Sequence, residues 1–154
     1  MTEPKGERKM RLWHIEMIPV LPKLQLLGQW RELCAIAKKI NQDGTPGHML
    51  VDWITEYPPE HLDVYACVVA SKMRARGYNC DTERYWKWRT SNGALQIGAR
   101  VFQGKMGNRY LMQCFCNLQE KFDCGGVAFD EFENIAERVQ AVMEGRLLRM
   151  EDET

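Results

Sequence analysis

The stretch that decides the reading is MRLWHIEMIPVLPKLQLLGQWREL, residues 10–33. It has the form of a chain start, with a Met, a tight apolar run and then a helix carrying Arg31-Glu32, yet the nine residues MTEPKGERK stand in front of it. Pro22 suits the first turn of a helix. Leu26, Leu27, Trp30, Leu33, Ala37 and Ile40 then recur at helical spacing as far as Asn41-Gln-Asp-Gly44. The periodicity predicts one long amphipathic helix with Glu32 upon it. Trp13, Trp30 and Trp53 suit a core.

Working outward, Asp43 to Gly47 reads as a loop, and Met49, Leu50, Trp53 and Ile54 predict a short second helix stopped by Tyr57-Pro58-Pro59. Leu62, Tyr65, Ala66, Val69 and Met73 line one face of a third. Lys72, Arg74 and Arg76 complement its C-terminal dipole, and Gly77 fits a left-handed cap. Ser91-Asn92-Gly93 is turn chemistry and marks a junction. Beyond it the period becomes two. Leu95, Ile97, Ala99 and Val101 alternate with Gln96, Gly98, Arg100 and Phe102, Lys105 to Asn108 reads as a hairpin turn, and Tyr110, Met112, Cys114 and Cys116 continue the alternation. A further short strand is expected to end near Gly125-Gly126-Val127. Asp130 then N-caps a last helix with Glu133 at the capping-box position and Phe132, Ile135, Val139, Val142 and Met143 on its inner face.

The expected architecture is therefore a flexible extension (1–9), a mainly α domain of three helices (10–90), a small α+β unit of antiparallel sheet plus helix (91–149) and an acidic tail (150–154). A chain of 154 residues can bury a core without staples. With six cysteines scattered along it, free thiols and a reducing intracellular compartment are expected. No apolar run approaches a membrane span, and no signal peptide is evident. The zero net charge hides an asymmetry: residues 1–100 carry 15 Lys/Arg against 11 Asp/Glu, and residues 101–154 carry 6 against 10. The front half is permitted a nucleic-acid partner; the acidic C-terminal end is disfavoured as its contact face.

MRLWH, the Trp30-Arg31-Glu32-Leu33 turn, Gly47-His48 before a short helix and the helix ending KMRARGYN occur in an order that resembles the pyrimidine-dimer DNA glycosylases of the phage endonuclease V type and their bacterial relatives. The likeness covers about residues 10–82. It implies a helical domain that binds damaged duplex DNA, an N-terminal α-amine that forms a Schiff base, and a helix-borne Glu, here Glu32, that steadies the sugar cation and moves protons. The amine would be that of Thr2 once Met1 is removed, or of Met10 in a chain beginning there; a peptide nitrogen is an amide and cannot attack. Arg11 and Arg31 would contact phosphates at the pocket, with Lys23, Lys38 and Lys39 as less specific backbone contacts. His14 and His48 suit a phosphate or a neighbouring carbonyl. Trp86 and Lys87, within Tyr85-Trp-Lys-Trp-Arg89, suit stacking on bases or a strand with its Trp face inward. No cofactor and no metal is expected, since Cys114, Cys116 and Cys124 lack a completing CxxC or His pair.

A second resemblance is fainter. Residues 94–145 are distantly similar to the positive-cofactor transcriptional coactivators, which implies single-stranded DNA as a partner and an oligomer formed through the C-terminal sheet. A third reading keeps the scaffold as a DNA-binding or assembly module without the chemistry.

Overall fold

A computed structural model describes residues 10–90 and 100–145. The chain enters as an extended segment, tightens into a 3-10 helix at Ile15–Val20, and runs into α1 (Lys23–Asp43). A second 3-10 helix at Asp52–Glu56 leads to α2 (Pro59–Ala75), a single turn α3 (Glu83–Trp86), and then α4 (Asn108–Asp123) and α5 (Phe129–Met143). α1 packs on α2 and α3, α4 on α5, and the first 3-10 helix on both α2 and α5. One cluster of buried side chains runs from Leu12 to Val142.

The front helices follow their apolar periods. Leu26, Trp30, Leu33 and Ala37 of α1 are buried, as are Leu62, Tyr65, Ala66, Val69 and Met73 of α2. Gly77 closes α2 in the left-handed region at φ 79°, and Tyr78 N donates to Met73 O at 2.9 Å across it. Arg76 spans the end of α2 and the first 3-10 helix, donating to Leu21 O at 2.6 Å and to Pro19 O at 3.0 Å.

The expected sheet is not there. Among the described residues there is no strand; Tyr110, Met112, Cys114 and Cys116 lie on the 16-residue helix α4. Its buried positions are Tyr110, Leu111, Cys114 and Leu118, with Phe115 and Phe122 packed against the core, so the governing period is 3.6. Lys105 to Asn108 is no hairpin turn but the lead into this helix, with Lys105 N and Met106 N both donating to Phe102 O. The segment ending at Gly125-Gly126-Val127 is the α4–α5 connection. Phe122 stacks on Phe132 across that connection, ring centroids 4.3 Å apart and planes within 7°. The likeness of residues 94–145 to the coactivators rests on those strands and has no support, and an oligomer through the sheet loses its basis. Ser91-Asn92-Gly93, Leu95, Ile97, Ala99, Thr2 and the acidic tail lie outside the described residues. α5 also starts earlier than expected. Ala128, not Asp130, is its N-cap, and Glu131 accepts from Ala128 N at 3.4 Å.

Val101 and Phe102, expected in a strand, form a buried turn. Phe102 has φ 56°, a conformation bulky residues rarely adopt. Two things hold it there: its N–H donates to His61 Nδ1 at 2.9 Å, and its ring meets Trp53, Tyr57 and Tyr65. The bond needs a neutral His61, and burial lowers the pKa of that ring below 6.5. The folded protein thus takes up this proton less readily than the unfolded chain. The stabilisation is complete above about pH 6.5 and is lost as the pH falls through the lower folded value. Denaturant titrations of wild type and His61→Gln between pH 8 and pH 5 should show the stability gap between the two narrowing toward acid pH. Phe102→Ala should cost about 3–5 kcal/mol in the same assay at neutral pH.

Candidate active site

The segment Arg11–His14 is mostly buried and has no neighbouring strand among the described residues, so its peptide groups need partners from elsewhere. Side chains supply them. Gln29, itself 1% exposed on α1, donates through Nε2 to Arg11 O at 2.9 Å and accepts through Oε1 from Trp13 N at 2.7 Å. Tyr65 of α2 donates its hydroxyl to Trp13 O at 2.6 Å, with Gln29 Oε1 at 2.8 Å. The Tyr110 hydroxyl of α4 donates to Leu12 O. Burial raises the pKa of both tyrosines, Tyr65 strongly, which keeps each hydroxyl a donor.

Glu32 stands one turn on from Gln29, at the edge of the buried face of α1, and is half-buried. Its Oε2 accepts from Arg11 N at 3.3 Å and from Gln29 Nε2 at 3.3 Å. A carboxylate thereby faces the backbone nitrogen of residue 11 on a helix that fixes its direction. Met10 is half-buried against the core beside it, and the Arg11 guanidinium lies over the Trp13 ring, 5.7 Å from its centroid. Glu32, Arg11 and Met10 are therefore brought together.

The other expected contacts are spread out. Lys23, Arg31, Lys38 and Lys39 are exposed along α1, and at 1.5 Å per residue Lys23 and Lys39 lie roughly 24 Å apart along it, so they cannot share one phosphate. Lys23 rests over the Tyr78 ring and Lys39 pairs with Asp43 at 2.6 Å. Lys38 and Lys87 both lie over the Trp88 ring, at 5.7 and 5.2 Å, and with Arg84 form a basic patch around a small hollow. Trp86 is 37% exposed, edge-on to buried Tyr85. Tyr85 and Arg89 both donate to Asp63 Oδ1, at 2.6 and 2.7 Å, which pins this segment to α2 as a helical turn and not as a strand. His48 is half-buried and its Nδ1 accepts from Leu50 N at 3.3 Å. His14 is a core residue: fully buried, it donates from Nε2 to Met106 O at 2.8 Å and accepts at Nδ1 from Glu16 N at 3.1 Å. No face of it is open to a phosphate.

Gln29 and Tyr110 escaped the sequence reading. A polar residue on the buried face of α1 is a visible signal for Gln29; Tyr110 gave none, because its partner is 98 residues away. Replacing Gln29 by Leu roughly keeps the volume and removes the bonds of the Gln29 amide to Arg11 O, Trp13 N, Tyr65 and Glu32. With Trp13 N and Arg11 O left buried and unpaired, Gln29→Leu should lose roughly 2–5 kcal/mol in urea unfolding, more than an ordinary polar-to-apolar change at an exposed site.

No curated protein and no solved structure matches the chain. Residues 10–85 match the family described as pyrimidine dimer DNA glycosylase, and that stretch contains the Arg11 segment, α1, α2 and all of α3 but Trp86. The match carries a repair function of the glycosylase type and damaged DNA as the partner class. No helix among the described residues is long and apolar enough to cross a membrane. Glu32 and the backbone at residue 11 that it faces both lie in the stretch, residues 10–85, that is similar to the pyrimidine dimer DNA glycosylase family.

Proposed function

We propose that the protein is a DNA glycosylase and abasic-site lyase acting on duplex DNA with pyrimidine-dimer or abasic lesions. The observation that carries this is the 3.3 Å approach of Glu32 Oε2 to the nitrogen of residue 11, on a helix, within the stretch that matches the pyrimidine dimer DNA glycosylase family. An unprotonated α-amine attacks C1′ of the damaged nucleotide. The N–C1′ bond forms as the bond to the base breaks, and the base leaves with a proton. Opening of the C1′–O4′ bond gives the imine; loss of a C2′ proton then expels the 3′ phosphate, and water releases the enzyme. Glu32 steadies the cationic sugar and carries the protons. Arg11 and Arg31 neutralise nearby phosphates, with Lys23, Lys38, Lys39 and Lys87 as outlying backbone contacts, His48 a further polar contact and Trp86 a stacking surface. The displacement and elimination need no cofactor.

The reading without chemistry has one observation in its favour. The nitrogen facing Glu32 belongs to a peptide bond, and an amide is no nucleophile. The lyase reading takes its amine from Thr2, if Met1 is removed, or from Met10, if a chain starts there.

Borohydride reduction in the presence of a labelled abasic duplex should trap a covalent adduct with wild type, and Glu32→Gln should lower its rate by about 100-fold or more. Proteins beginning at Thr2, at Thr2 with the amine acetylated, at Met10 and at Arg11 locate the amine. The Arg11 start should be the most active, because its α-amine falls at Glu32. Inactivity of all of them, with helical circular dichroism intact, removes the enzyme and leaves the binding module.

A further inference from the structure

Beside the Glu32 site lies a second feature, built largely by residues beyond the family match. An open cleft of about 680 Å³ runs between the loop ahead of the second 3-10 helix and the start of α4. Arg11, Lys105 and Arg109 line it, and no carboxylate does. In a chain with as many acidic as basic residues this segregation is informative. The cleft of similar size along α5 mixes Arg76 and Arg138 with Glu131 and Glu137. Neither Lys105 nor Arg109 pairs with a carboxylate among the described residues. Lys105 is instead held over two rings, 4.6 Å from the Tyr110 centroid and 5.3 Å from that of Trp53. Its charge is thereby positioned without being neutralised. Met49, on the rim, is 85% exposed, an apolar side chain standing in water next to three cations.

Three cations that pair with no carboxylate among the described residues, around an apolar floor, match a polyanion that also offers flat or apolar surface, which describes a nucleic-acid strand. Arg11 gives the direction: its side chain lines the cleft while its backbone nitrogen faces Glu32. We propose that this cleft is an extension of the DNA-binding surface, in which Lys105 and Arg109 hold backbone phosphates of the duplex flanking the lesion and Met49 abuts its sugar edge. The inference rests on the DNA-repair reading and adds contacts from outside the matched region.

Fluorescence anisotropy of a labelled abasic duplex with the full chain, from 50 to 200 mM salt, tests it. Lys105→Gln and Arg109→Gln should each lower the slope of log K against log salt by about 1, whereas Lys121→Gln, in the last turn of α4, should leave it unchanged. Acetylation of the wild-type protein supplies a readout without substitution: duplex should protect Lys105 and not Lys121. Unchanged slopes in both cleft variants, or equal acetylation of Lys105 with and without duplex, overturns the cleft proposal while leaving the lyase reading intact. Protection by poly-glutamate but not by duplex overturns it in favour of an acidic protein partner. Altered slopes and protection without any borohydride-trapped adduct would uphold the cleft and sink the lyase.

Discussion

The constraint on which the rest of the structure depends is the need to satisfy a buried, extended backbone that has no strand beside it. Arg11, Leu12 and Trp13 present peptide groups to the interior, and three helices answer with Gln29, Tyr65 and Tyr110. The Gln29 amide bonds the carbonyl of residue 11 and the N–H of residue 13, the pair of groups that the N–H and C=O of one residue of a parallel neighbouring strand would bond. One side chain on a helix thus takes the place of a sheet. Because each donor sits on a different element, α1, α2 and α4 are set relative to one another by the segment they hold.

The same arrangement explains why the candidate site is where it is. Glu32 shares its approach to Arg11 N with a bond from Gln29 Nε2, so the carboxylate is oriented by the group that fixes the backbone opposite it. Pre-organisation here arises from the fold's own hydrogen-bond requirement and not from a separate set of supports. The cations differ in kind. Those along α1 are exposed, Lys23 and Lys38 each over a single ring and Lys39 paired with Asp43, while Lys105 lies over two rings and with Arg109 lines a cleft that has no carboxylate among the described residues.

How much could be read from the sequence depends on where each signal resides. α1 and α2 announced themselves through apolar periods near 3.6, with Pro and Gly at their ends, and Glu32 through a motif confined to one helix turn. α4 was misread because Tyr110, Met112, Cys114 and Cys116 alternate as a strand would, and the glycines at either side look like turns. The deciding fact was length: no Gly or Pro interrupts Asn108–Asp123, and Leu111, Cys114 and Leu118 are stacked on one face only in a helix. His14 suited a phosphate or a carbonyl; its partner is a carbonyl, that of Met106, 92 residues distant, so which carbonyl it would be could not be read locally. Long-range satisfaction of polar groups leaves no local trace.

The bonds from Tyr110 to Leu12 and from His14 to Met106 cross the point at which the family match stops. A boundary in sequence similarity is therefore not a seam in the protein. Residues 10–85 transplanted onto another scaffold would carry a carbonyl and an imidazole whose counterparts stayed behind, directly beneath Trp13 and the chain leading to Glu32. Any donor scaffold for such a graft would have to bring its own tyrosine and its own carbonyl to those two places, so the C-terminal helices count as part of the site's foundation even though none of their residues faces Glu32 in the bonds described.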